Sequence, residues 1–179
     1  MSAVEPIRDK RKITAIANIL KKQSERNYIL FLLGISTGAR ISDILRLKKR
    51  NVSDECISVR EKKTRKYNKF YFIPTYRDII LGYVSTLDDN DYLFPTNHHK
   101  PMTRQNAYYI INKASEKVGI KYPVGCHTMR KTFGYWYYKS TKDIATLMLI
   151  FKHADEAITL RYIGYNDEAI KTSVNKISF

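Results

Sequence analysis

The chain has 179 residues, 44% of them hydrophobic, enough to fill the core of one ordinary domain. Lys and Arg number 32 against 17 Asp and Glu, a formal net charge of +15, which makes nucleic acid the leading partner and a membrane surface or an acidic protein the blander one. No segment has the uninterrupted apolar length of a membrane-spanning helix, the N-terminus lacks the apolar core of a signal peptide, and Cys56 with Cys126 suits reduced thiols in a cytoplasm better than a disulfide framework.

Ile13, Ile16, Ile19 and Leu20 recur at helical spacing behind Asp9, an N-cap residue. NYILFLLGISTGA (27–39) reads as a mostly buried helix, and ISDILRL (41–47) as a short helix after Gly38. CISVRE (56–61) and KFYFIP (69–74) carry the β-branched, aromatic and alternating residues of strands. The basic loop between them makes a hairpin with a charged tip. TYRDIILGYVSTL (75–87) and TRQNAYYIINKASEKVG (103–119) are amphipathic helices, the second opened by Thr103 and closed by Gly119, and 89–101 has loop composition. HTMRKTFGYWYY (127–138), KDIATLMLIFK (142–152) and DEAITLRYI (155–163) favour helix, and 167–179 allows one more. The expected fold is mainly α with a small antiparallel β-sheet. No Pro, Gly or Ser linker divides it, so one domain over 1–179 is expected.

Four pieces carry chemistry. In TGARISD, Arg40 follows Gly38 at a turn, where a guanidinium can hold a phosphate bidentately or simply cap a helix end. Lys62, Lys63, Arg65, Lys66 and Lys69 load the hairpin, and a solvated loop touching DNA backbone is the default reading for most of them. A lysine among cations can also lose its proton more easily and serve as a general acid. In HTMRKTF, His127 and Arg130 share one helical face, with Lys131 as a further backbone contact. In FKHADEAITLRYIGY, His153 stands at a helix end and Tyr162 nine residues on. Each piece alone has an ordinary structural explanation. His98 and His99 lack a third ligand nearby, and Trp136 with Phe133 and Tyr137 reads as packing.

Arginine, hairpin lysine, HxxR, histidine and then tyrosine, in that order, resemble the catalytic domain of the tyrosine recombinases, the phage-integrase family. The resemblance spans nearly the whole chain. TGARISDILRL resembles the first arginine box, KYNKFYFIP the hairpin, HTMRKTFG the second box and FKHADEAITLRYIGY the last. It implies a site of Arg40, Lys66, His127, Arg130, His153 and the nucleophile Tyr162, with Tyr165 dispensable. Lys62, Lys63, Arg65, Lys69 and Lys131 would be backbone contacts. It further implies site-specific strand exchange on double-stranded DNA through a 3′-phosphotyrosyl intermediate and a Holliday junction, with no cofactor and no metal. A tetrameric synapse on DNA, a monomer in its absence and a cytoplasmic, nucleoid-associated bacterial or phage protein are also implied. The other readings are a type IB topoisomerase and an accessory DNA-binding module without catalysis.

Three departures stand out. Lys152 occupies the place before the last histidine where the family usually has Gly, and Asp43 a place where Glu is more usual. The DNA-clamping core-binding domain common in the family is expected to be absent, since almost nothing precedes the first helix. The tail at 166–179 presents Ile170, Val174 and Ile177 on one helical stripe, suited to docking in cis or in trans.

Overall fold

The computed structural model describes residues 4–60, 67–165, 172 and 174–177. Asp9 caps α1 (Lys10–Gln23) by accepting from the Arg11 amide at 2.8 Å. Ile13, Ile16, Ala17 and Leu20 form its buried stripe, as their spacing predicts. That stripe packs on α2 (Glu25–Thr37). Every residue of α2 from Ile29 to Thr37 is buried, because this helix is surrounded by α1, α4 (Pro74–Ser85) and α6 (Cys126–Thr141). A helix apolar on all sides is the one a domain builds around.

Strands β1 (Cys56–Arg60) and β2 (Tyr67–Tyr71) pair antiparallel, with Cys56 opposite Tyr71 and Arg60 opposite Tyr67. The second strand therefore lies earlier than 69–74. Pro74 begins α4, where its fixed φ and missing N–H fit the first turn, so the chain leaves the sheet before it. Ile73 bridges the two elements, its amide donating to Ser36 Oγ at 2.9 Å. Lys69 consequently sits mid-strand opposite Ser58, not at the tip, and shares an exposed face with Tyr67 and Tyr71.

The remaining helices follow closely: α3 (Ile41–Ile44), α5 (Arg104–Lys117), α7 (Ile144–Phe151) and α8 (Glu156–Tyr162). Thr103 caps α5 as expected, its hydroxyl accepting from the Asn106 amide at 3.1 Å. The irregular stretch before α5 buries Leu93 and Phe94 completely. A second, smaller core of Phe133, Tyr135, Leu147, Phe151 and Ile163 joins α6 to α7 and α8. Gly134 permits that approach, since a Cβ there would lie 2.7 Å from Ile163 and Phe151. Ahead of α1, Ile7 is fully buried; its amide donates to Thr132 Oγ1 at 2.9 Å and its carbonyl accepts from Trp136 Nε1 at 3.0 Å. Burying such a side chain contributes about 1.5–3 kcal/mol, so Trp136 does pack, and it staples the N-terminal segment to α6.

Among the described residues no helix is long and apolar enough to cross a membrane. Of the tail stripe, Ile170 lies outside the described residues, while Val174 and Ile177 are exposed.

Candidate active site

Gly38 ends α2 in the left-handed conformation (φ 64°), and the chain then enters α3 through an extended Arg40. The Arg40 carbonyl accepts from the amides of Asp43 and Ile44 at 2.9 and 3.1 Å, fixing the backbone of the turn and leaving the side chain exposed. Arg40 thus opens a helix rather than closing one.

Arg130, on the first turns of α6, is 4% exposed. Its Nη1 donates to the carbonyl of Gly38 and its Nη2 to that of Phe151 at 3.0 Å. The guanidinium also stacks 4.1 Å over the Phe151 ring. One side chain therefore joins the turn before Arg40 to the end of α7, just before His153.

His153, Phe151 and Tyr162 form an aromatic triangle. Ring centroids are 5.2 Å apart for His153–Tyr162, 5.4 Å for Phe151–His153 and 5.5 Å for Phe151–Tyr162, all edge-to-face. Asp155 caps α8 and so aims Tyr162, the last residue of that helix. The buried Thr159 hydroxyl donates to the Asp155 carbonyl at 3.0 Å and meets His153 Nδ1 at 3.1 Å. A hydroxyl has one proton, so toward the ring it accepts, and Nδ1 carries the hydrogen. The lone pair of neutral His153 is then on Nε2.

The charges are mutually felt. Burial presses Arg130 down to about 10, with Tyr162 and Asp43 holding its charge and Arg40 opposing it. It remains a cation at neutral pH. Burial lowers His127, and Arg104, Arg130, Lys131 and Arg40 lower it further. Burial, Arg130 and Arg40 lower His153 likewise. Both imidazoles are therefore neutral near pH 7 before an anion arrives. Burial raises Tyr162, outweighing the Arg130 and Arg40 charges, which pull the phenol down. A phenol in that state needs a proton acceptor before it can attack.

Five of the six predicted site residues, Arg40, His127, Arg130, His153 and Tyr162, thus meet in one electrostatic neighbourhood. Lys66 lies outside the described residues, as do Lys62, Lys63 and Arg65. Lys131 is half-buried, with Nζ 5.2 Å over the Tyr162 ring, beside the nucleophile candidate. Tyr165 turns elsewhere: it packs edge-on against Tyr138 at 4.6 Å and accepts from Lys142 Nζ at 2.7 Å.

Sequence reasoning missed Arg104, which opens α5, and Thr159. Arg104 lines a cleft of about 450 Å³ with Tyr108, Gly125, Cys126 and His127. No single-sequence signal separates it from other surface arginines. Thr159 shows only as a polar residue on the inner side of a short helix. The Asp43 charge supports Arg130, so the shorter carboxylate still serves that turn. Among the described residues no three His, Cys, Asp or Glu side chains gather as a metal site.

Residues 8–169 match the Phage integrase family. A Bacillus subtilis (strain 168) chain described as "Probable integrase/recombinase YoeC" is 37% identical over 175 residues, covering 97% of this chain and 96% of that one. Tyrosine recombinase XerH of Campylobacter jejuni is 24% identical over 90% of this chain, which spans only 48% of XerH. The crystal structure of XerA recombinase superposes with a TM-score of 0.80 at 24% identity, covering 98% of this chain and 66% of XerA. With that extent of match, and with the two arginines, two histidines and tyrosine gathered as described, this chain belongs to the phage integrase family.

Proposed function

We propose that this protein is a tyrosine-type site-specific DNA recombinase, cutting and rejoining double-stranded DNA through a covalent 3′-phosphotyrosyl intermediate. The observation that carries the reading is the Arg130 guanidinium. It is bound to the backbone on both sides of the site, and its charge acts on the Tyr162 phenol.

A phosphodiester gains negative charge on its non-bridging oxygens in the transition state. Arg40 and Arg130 stabilise that charge as guanidiniums that stay protonated, and Arg130 is already fixed in place. Tyr162 Oη attacks phosphorus and its proton passes to neutral His127. The bond to the 5′-oxygen breaks, and Lys66 supplies the proton that makes the leaving group a hydroxyl. His153 donates to a phosphate oxygen through Nε2, which requires its imidazolium form; the incoming phosphate charge favours that form. The phosphotyrosyl ester keeps the free energy of the broken bond. A 5′-hydroxyl of another strand reverses the steps and completes the exchange through a Holliday junction.

The remaining basic surface supplies salt-sensitive affinity for the DNA backbone, with Lys69 on the exposed strand face and Lys62, Lys63 and Arg65 in the adjoining segment. Self-repulsion at +15 favours a monomer in the absence of DNA, and a tetramer assembles once the polyanion screens that charge. The tail from 166 to 179 docks within or between copies through Ile170, Val174 and Ile177. The protein acts in the cytoplasm, on the nucleoid or on a mobile element.

The test is a nicked duplex that traps the cleaved strand, scored for an adduct that survives SDS. Wild type and Tyr165→Phe form the adduct and Tyr162→Phe does not. An adduct lost through Tyr165 alone overturns the assignment, and no adduct with any attachment sequence leaves only an accessory binding role. Exchange between two duplexes, rather than relaxation of supercoils, separates recombinase from topoisomerase.

A further inference from the structure

Lys152 adopts φ 56° and ψ 47°, a left-handed conformation that glycine takes freely and L side chains rarely take. The strain has a clear backbone reason. Lys152 ends α7 so that its amide still reaches the Leu149 carbonyl at 3.3 Å and the His153 amide reaches that of Met148 at 3.0 Å. Any residue here must bend this way to present His153. Glycine would do so without strain, so a lysine at the position calls for a role for its side chain.

The side chain supplies one. Lys152 Nζ donates to Asn68 Oδ1 at 2.8 Å, across 84 residues of chain. Asn68 stands in β2, opposite Val59 of β1, so its backbone is held by the sheet. The turn at Lys152 is equally held: the preceding residue is Phe151, whose carbonyl accepts from Arg130, and the next is His153, whose ring is anchored on Thr159. The contact therefore ties the hairpin to the element that carries the phosphate-binding groups. Asn68 follows Lys66 by two residues in the sequence.

We propose that Lys152 is a positioning residue: its charge-assisted hydrogen bond to Asn68 fixes the hairpin against the phosphate site, so that the proton donor meets the leaving 5′-oxygen. The proposal rests on the recombinase reading above and on Lys66 as general acid.

The experiment is single-turnover cleavage at saturating DNA, with two substrates that differ only in the bridging 5′-atom, oxygen or sulfur. A thiolate leaves without a proton, so sulfur removes the need for a placed acid. Lys152→Gly and Asn68→Ala each lower the oxygen rate by about tenfold, a part of the roughly 100- to 10,000-fold that general acid catalysis supplies. The double variant is no slower than either single variant, because both remove the same contact. Sulfur restores all three to within about threefold of wild type, while Lys152→Arg keeps most of the oxygen rate. Lys152→Gly melts no lower than wild type, since glycine relieves the strained φ.

Multiplying effects in the double variant overturn the proposal and assign Lys152 to a DNA phosphate instead. Failure of sulfur to restore Lys152→Gly while it restores Lys66→Ala overturns it as well. If sulfur fails on Lys66→Ala itself, the general-acid reading falls, and the bridge then stands or falls on the double-variant comparison alone.

Discussion

Replacing Gly38 by alanine should damage both the fold and the site, by an amount the structure sets. Gly38 sits at φ 64°, where an L residue costs about 1–2 kcal/mol. A Cβ there would lie 2.4 Å from Phe133 Cδ1 and 2.9 Å from Cγ and Cε1. Phe133 cannot simply retreat: it is 7% exposed and wedged between the rings of Tyr137 at 5.8 Å and Phe151 at 6.2 Å. Overpacking of this kind costs about 1–3 kcal/mol. The sum is a loss of roughly 2–5 kcal/mol, or a melting temperature lower by about 4–20 °C for a chain of this size. Urea unfolding followed by circular dichroism measures it. Gly82→Ala is the control, because nothing lies within 4 Å of a Cβ there and the residue is inside α4. That variant should gain about 0.5–1 kcal/mol from helix propensity. At a temperature where Gly38→Ala is still folded, cleavage should remain below wild type, since the Gly38 carbonyl holds Arg130 and the same turn leads to Arg40. A loss under about 1 kcal/mol, or full activity in a variant that is destabilised as expected, refutes the reasoning.

The two site histidines give a pH dependence with a definite sign. Burial, first among the causes, sets both below the ordinary value of 6.5 in the folded protein. Their contribution to stability is thus present above about pH 6.5 and lost as pH falls through their lowered values. DNA-free protein should unfold at lower urea at pH 5 than at pH 7, and a His127→Gln/His153→Gln variant should show a flatter profile; equal slopes reject the linkage. Thr159→Val removes the acceptor of His153 Nδ1–H, which should cost about 0.5–1.5 kcal/mol of stability. The variant should also let the neutral ring populate the Nε2–H tautomer by 15N NMR. An unaltered tautomer contradicts the assignment.

Much of this was legible in the sequence wherever a local rule agreed with the packing. The α1 stripe and its Asp9 cap, the Thr103 cap and the order of the four boxes all belong to that class. The second strand begins at Tyr67, two residues before the expected 69, because β-branched and aromatic content continues to Ile73 while Pro74 and the Ser36 contact decide where the strand ends. Composition marked 89–101 as loop, yet Leu93 and Phe94 are core residues, since burial depends on what packs above a segment and not on its regularity. Lys131 read as a backbone contact from its charge. Its nearness to the Tyr162 ring comes from the approach of α8 to α6, which Gly134 allows and no periodicity reports.

The same distinction explains why Arg130 has to be an arginine. Its immediate neighbours in sequence say only that a cation sits on a helix. In space it satisfies two backbone carbonyls from segments far apart in the chain, lies over the Phe151 ring, and its charge still acts on the phenol of Tyr162. A guanidinium has five N–H donors in a rigid plane, so donors remain for a phosphate after both carbonyls are served. Lysine has three donors around one point and could not span the Gly38 and Phe151 carbonyls while also meeting an anion. The group proposed to stabilise the transition state is therefore also the group that ties the end of α2 to the end of α7. Because Arg130 bonds the ends of both α2 and α7, a shift of one helix against the other must strain or break one of its two backbone hydrogen bonds.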